Sequence, residues 1–432
     1  MNQNIKDLLS NYKAVVICLF FILASVSAIS QTYINSPYSR YGIGQIHQNS
    51  NFRLSAMGGM GLAVKQNNLI NISNPATYTA FDSTSFVFEG GIRGMITNVE
   101  NKSDNVLTNN VSINYLLFGF PVSRRLSVSF GLLPYSHVGY TFSESTFLEN
   151  IGDINYHYQG QGGLNRAYFG SAFNIAPGLS AGVNMSYIFG NLKHTRMITF
   201  PEVANIYSIN QVNKTAVSDI MFDYGLHYHT PLNEDYSIAF ALTASHPTQL
   251  NATQSILIES FSGVNYNHVH IKDTIEDSSE KGSLTIPLSY GVGVVLKNNN
   301  NWLVGADFKH QEWSKFEHFG IKDSLSNSML IAIGTEYRPS HNIGASTWRR
   351  STYRMGLKYE QTYLQLRNHT LKNYGISFGV GIPIQRSRSQ INVGIELGQR
   401  GTTDNDLIKE TYGMLTFSVS VYERWFVRRK LD

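Results

Sequence analysis

The 432-residue sequence has one cysteine, Cys18, so it holds no disulfide framework and no cysteine-based metal site. It has no run of 18 consecutive apolar residues, which excludes a helical membrane span. Its net charge is only +4, partly from Arg428, Arg429 and Lys430, too small an excess to suggest a nucleic-acid partner. Mean hydropathy is slightly negative. A membrane protein is still allowed, because half of each strand in a membrane barrel is polar and escapes a hydropathy scan.

What is present begins with a leader. Lys6 and Lys13 precede an apolar run from Ala14 to Ala24, then the small residues Ser25, Ser27, Ala28 and Ser30. The run, about 11 residues long, is too short to span a bilayer, and Ala28-Ile29-Ser30 fits a small-x-small cleavage site. Residues 1–30 are therefore expected to be a signal peptide. Cys18 lies inside the apolar run after bulky Ile17, not at the cut, so no lipid anchor is expected.

The rest of the chain carries about fourteen stretches of period-two hydrophobicity. They are expected near 84–98, 106–120, 125–142, 164–176, 179–194, 214–230, 235–250, 282–297, 301–316, 327–338, 351–364, 372–384, 389–401 and 408–424. In the thirteenth, Ile391, Val393, Ile395 and Leu397 alternate with Asn392, Gly394, Glu396 and Gly398, one face for hydrocarbon and one for water. In the ninth, Val304, Ala306 and Phe308 would face lipid while Asp307, Lys309 and Gln311 face inward. Connections after even strands are mostly short, as at Pro177-Gly178, whereas 143–163, 195–213 and 251–281 read as long polar loops. Bacterial barrels keep short turns in the periplasm and long loops outside. The pattern predicts an all-β fold: a transmembrane antiparallel β-barrel of about fourteen strands over residues 84–426, with both termini periplasmic, in the outer membrane of a Gram-negative bacterium. Tyr422-Glu423-Arg424-Trp425-Phe426 is similar to a terminal-strand signal for the outer-membrane insertion machinery, followed by a basic tail, 427–432.

Residues 31–83 precede the first strand. They hold Leu54, Met57, Met60, Leu62, Val64, Leu69 and Ile72, too apolar for a disordered tail, and inward barrel positions such as Gly375, Ser377, Gly379 and Gly381 are small. A plug in the lumen is expected. In the third strand, Pro134 removes a ladder donor, which marks either a bulge at the rim or a lateral opening. Two of the long loops carry apolar residues, Met197, Ile198, Phe200, Ile206 and Tyr207 in one, and Ile256, Leu257, Ile258 and Phe261 in the other. These would capture a ligand or build short hairpin extensions that pack on each other. His227 and His229 share a strand face, as would His268 and His270, but two histidines without a third ligand make a weak metal site. No metal, cofactor or enzyme activity is expected.

Ala56-Met57-Gly58-Gly59-Met60-Gly61-Leu62-Ala63 followed by Asn74-Pro75-Ala76 resembles the hatch of FadL-type outer-membrane channels, which joins a glycine-containing stretch to an Asn-Pro-Ala motif. Leu284 to Pro287, Tyr290 to Gly293, Val304 to Asp307, and Trp313 resemble a strand pair of the same family. The resemblance implies a fourteen-stranded barrel with an N-terminal hatch, Gly58, Gly59, Gly61, Asn74, Pro75 and Ala76 as its motif, and a kinked third strand that opens the wall. It also implies passive uptake of a hydrophobic small molecule, long-chain fatty acids included, by a monomer in contact with outer-membrane lipid. The rival expectation is a FadL-like barrel acting as a secretion or surface-attachment adaptor, as the type IX secretion component PorV resembles the same fold; a plain structural barrel comes third.

Overall fold

The computed structural model describes residues 36–48, 50–203, 206–262, 270–298, 301–384 and 387–424. The leader, Trp425, Phe426, the basic tail and His268 lie outside them.

Fourteen antiparallel strands form the wall. They are β1 (Ser85–Glu100), β2 (Asn105–Pro121), β3 (Leu126–Leu148), β4 (Gly152–Ala176), β5 (Leu179–Thr199) and β6 (Ser208–Pro231). Next come β7 (Tyr236–Ser245 and Thr248–Ser262) and β8 (His270–Ile286 and Ser289–Asn298), each split at a proline, Pro247 and Pro287. The wall finishes with β9 (Trp302–Gln311), β10 (Ser328–Tyr337), β11 (Thr352–Leu366), β12 (His369–Pro383), β13 (Gln390–Gly401) and β14 (Lys409–Arg424). Pairing of β14 with β1, from Lys409 opposite Glu100 to Arg424 opposite Ser85, closes the ring. Closure matters because an open edge cannot be satisfied in hydrocarbon.

The alternation read from the sequence is the alternation of the wall. On β13, Val393, Ile395 and Leu397 are exposed outward while Asn392 and Glu396 are buried inward. Phe130, Phe169, Met185, Leu242 and Ile333 continue the outward apolar belt. At its short-turn end, Phe88, Phe118 and Phe130 stack with centroids 5.0 and 5.1 Å apart, forming part of an aromatic girdle.

The expected long loops need correction. Most of 143–163 continues β3 and β4, turning only at residues 149–151, and β5 and β6 extend into 195–213. Likewise β7 and β8 pair through much of 251–281. Strands β3 to β6 reach 21 to 25 residues, whereas β9 and β10 have 10 each. A tilted membrane strand needs only about 9–11 residues. The excess extends past the membrane-spanning length as a tall crown on one side, exposed at its tips, as at Glu144 to Thr146, but with Leu192, Met197 and Val217 buried on its inner face.

Residues 36–84 lie against the inward faces of strands all round the ring. Three buried clusters combine this N-terminal segment with the wall: one around Tyr38, Ile43, Trp313 and Tyr363, one around Phe52, Tyr78, Tyr115 and Tyr168, and one around Leu54, Met57, Met60 and Val295. Each fully buried apolar side chain of this kind contributes about 1.5–3 kcal/mol.

Candidate functional site: an inner segment, a gap in the wall and two cavities

The Asn-Pro-Ala stretch forms a short turn that fixes the segment to the wall. Asn74 caps the 3-10 helix Pro75–Ala80, its Oδ1 accepting from Ala76 N at 3.0 Å, while its Nδ2 donates to Leu62 O at 2.8 Å and to Leu226 O of β6 at 3.1 Å. Pro75 sits at the first helical position, where its missing donor costs nothing. Tyr78 donates to Asn184 Oδ1 of β5 at 3.0 Å. A Cβ at Gly182 would come 2.5 Å from Pro75 C, and one at Gly225 would come 2.1 Å from Asn74 Oδ1, so the wall needs glycine opposite the motif.

The glycine stretch is held the same way. Gly58 and Gly59 adopt φ of 72° and 83°, a left-handed turn that other residues resist. Gly58 N donates to Ser377 Oγ at 2.8 Å. Gly61 N and Leu62 N donate to the buried carboxylate of Asp307 on β9 at 2.7 and 2.9 Å. Sequence reading placed Asp307 inward but missed this role. His227 donates from Nε2 to Ala63 O at 3.1 Å, so it serves segment packing. No group of three possible metal ligands occurs among the described residues.

The wall has a gap. The β2–β3 ladder runs from Pro121 opposite Ser127 to Leu116 opposite Leu132 and stops there, while Asn105–Ile113 of β2 pair only with β1. Pro134 lies two residues past the last rung, and a register shift between Pro134 and Ser136 makes Tyr135 a bulge against β4. A bulge bends its strand and increases the twist, which carries β3 away from β2. The N-terminal segment takes up part of the freed β3 edge. Gln45 and Ile46 pair with His137 and Ser136, His47 N donates to Tyr135 O at 3.0 Å, and Ser36 N donates to Gly139 O at 3.1 Å.

Behind the gap lies a cavity of about 200 Å³, lined in part by Asn110, Ser112 and Asn114 of β2 and by Arg93, His47 and His137. Arg93 Nη2 donates to His47 Nδ1 at 2.6 Å. Burial, helped by the Arg93 charge, holds His47 well below the usual histidine range, so it is the neutral ring that accepts. On the same lining Lys358 pairs with Glu396, and Arg400 pairs with Glu410, which lies off the lining. The cavity is thus polar as much as apolar. On the other side of the segment, at the short-turn end, lies a second cavity of about 890 Å³. Lys65 borders it, and burial pushes its amine down to about 8.

The other expected residues lie on or beside the neighbouring strands β5, β6 and β7, where Ile198 is opposite Ile209 and Ser208 opposite Phe261. Met197 and Phe261 are buried on β5 and β7, Ile198 and Ile256 to Ile258 are half-buried on the same two strands, Phe200 is half-buried just past β5, and Ile206 and Tyr207 are exposed just before β6.

A closed fourteen-stranded barrel with an apolar belt, a polar interior and an N-terminal segment inside it defines a FadL-type outer-membrane barrel. The chain belongs to the BamG family, whose model matches residues 12–432. No curated protein matches it in sequence. Among solved structures it is similar to a Pseudomonas aeruginosa FadL homologue, with TM-score 0.60 and 12% identity over 88% of this chain and 99% of that one. It is also similar to the toluene transporters TodX of P. putida (0.58, 15%, 88% and 100%) and TbuX of Ralstonia pickettii (0.57, 14%, 87% and 98%). At these identities the likeness shows the fold.

Proposed function

We propose that this barrel admits small hydrophobic molecules passively and releases them sideways through the gap between β2 and β3. The observation that carries the reading is the ladder that stops at Leu116 and Leu132 beside a cavity. Unpaired backbone at membrane depth is tolerated only where it faces protein or water, so a gap here has a use that a sealed wall would lack. Residues 36–84 act as the hatch. A cavity of about 200 Å³ falls below the ~300–1,000 Å³ of pockets for drug-sized ligands, so passage requires the hatch to move. The driving force is transfer of apolar surface, about 0.8 kcal/mol per CH₂, and needs no energy source. Structurally similar barrels named for toluene transport support the reading.

A second reading, an adaptor for partners at the cell surface, is favoured by the paired charges around the outer cavity and by the tall crown. Replacing Pro134 with Val separates the two. The new backbone donor favours a straighter β3, so uptake of radiolabelled oleate by whole cells should fall several-fold while barrel assembly is unchanged. Normal uptake in an assembled Pro134→Val protein would refute lateral exit.

A further inference from the structure

The cavity at the short-turn end has a charge that the transport reading does not use. Arg53, Lys65, Lys297, Arg338, Arg354 and Arg388 all line it, whereas Glu336 is the one acidic residue of its lining among the described residues. Two of these cations are spoken for in part. Arg354 Nε donates to Glu336 Oε2 at 2.7 Å, and Arg388 pairs with Asp82 at 2.6 Å. Two more meet neutral groups: Arg53 Nη1 donates to Gln66 Oε1 at 3.3 Å and Asn68 Oδ1 at 2.8 Å, and Lys65 donates to Ser180 Oγ at 3.3 Å.

Buried donors remain after that count. Among the described residues, Arg53, 2% exposed, has no partner for Nε and Nη2, Arg354, 4% exposed, has none for Nη1, and Arg338 Nε is likewise unmatched. Glu89 and Glu336 act on Arg53 through space, but neither bonds to those two nitrogens. Buried cationic N–H groups without acceptors are costly, and such unmatched donors call for an ion or an equivalent acceptor. The arginines also come from different bodies. Arg53 belongs to the inner segment, at its Phe52–Ser55 turn, while Arg338 follows β10 and Arg354 lies on β11. Gln66 links them, donating to Glu336 Oε1 at 2.8 Å. Planar guanidinium forks suit the oxygens of a carboxylate or phosphate.

We propose that this vestibule is an oxyanion site, in which a phosphate or carboxylate group bridges Arg53 of the inner segment to Arg338 and Arg354 of the wall. The site stands whether the barrel is a channel or an adaptor. Isothermal titration of the purified full-length protein, with inorganic phosphate and with acetate at constant ionic strength in chloride, tests it. Saturable binding of either oxyanion is expected, and the two titrations tell which is preferred. Binding should weaken at least tenfold in a variant carrying Arg338→Gln and Lys297→Gln, neither of which takes part in an ion pair among the described residues, and stay unchanged in Arg40→Gln, whose side chain lies outside the vestibule. Absence of saturable binding by both anions, or equal binding by wild type and the double variant, would overturn the proposal.

Discussion

Replacing Gly356 with alanine tests whether the inner segment is held by the wall or merely occupies it. An ideal Cβ at Gly356 would lie 2.0 Å from Met57 C and 2.1 Å from Gly58 N, whereas ordinary contact begins near 3.4 Å. Both neighbours are backbone atoms, so no side-chain rotation relieves the clash, and the segment must retreat by about 1.4 Å, the difference between 3.4 and 2.0 Å. That retreat stretches the 2.8 Å bond from Gly58 N to Ser377 Oγ beyond hydrogen-bonding range. Overpacking costs roughly 1–3 kcal/mol and the lost bond roughly 0.5–1.5 kcal/mol. Together these come to about 2–4 kcal/mol against the docked state, a shift of roughly 30- to 1,000-fold in its equilibrium. Gly356 has an ordinary backbone conformation, so the wall itself accepts alanine.

The assay is single-channel conductance in planar bilayers together with trypsin cleavage within residues 36–84. The Gly356→Ala barrel should assemble and migrate like wild type but leak and be cut faster. Gly413→Ala is the control, because its Cβ would meet Leu397 Cδ2 at an ordinary 3.6 Å. Wild-type conductance and wild-type protection in Gly356→Ala would refute the claim that this contact holds the segment.

Asp307→Ala should also free the segment, since two buried backbone donors, Gly61 N and Leu62 N, lose their acceptor at a cost of about 2–4 kcal/mol; faster trypsin cleavage of residues 36–84 checks this, and Asp307→Asn should restore part of the protection. Orientation is checked by cysteine labelling with an impermeant maleimide: Phe147→Cys, near the tip of the β3–β4 hairpin, should react on intact cells, and Asn233→Cys, in the short turn after β6, only after permeabilisation.

The wall was legible because lipid and lumen impose opposite demands on alternate residues, and Val393, Ile395 and Leu397 against Asn392 and Glu396 record that directly. The tips of the crown were not legible, because there the strands are exposed on both faces. Glu144, Ser145 and Thr146 on β3 are all exposed, and so are Lys272, Asp273 and Thr274 on β8. There period two disappears and the strands read as polar loops, whereas lower in the crown Thr195, Met197 and Thr199 of β5 are buried in turn. Pro134 lies beside the point where the β2–β3 ladder stops, yet the missing rungs belong equally to β2, where a register shift skips Asn114 and moves the outward positions from Val111 and Ile113 to Leu116, a break that no proline announces. The basic vestibule is invisible in sequence, since Arg53, Lys297, Arg338 and Arg354 come together only when the ring closes.

The two ends of the inner segment are held by different kinds of contact, and both bear on lateral exit. Near its C-terminal end, Asn74 bonds to Leu62 O and Leu226 O, Pro75 has a fixed φ, and Gly182 and Gly225 let the backbone seat against the wall without a gap. Near its N-terminal end, Gln45 and Ile46 stand in as a two-residue strand on the freed edge of β3. Beside those two rungs, Ser36 N donates to Gly139 O, Gly139 N to Ser39 Oγ and Tyr363 to Gly44 O, while the Tyr38 hydroxyl bonds the Ile408 backbone, so displacement of residues 36–47 has to break a set of bonds to both β3 and the opposite wall. The same displacement uncovers the edge of β3 beside the outer cavity. In the proposed lateral exit, hatch movement and opening of the wall would thus be one motion, and a variant that pins Gln45–Ile46 to β3 should close the lateral path even with Pro134 in place.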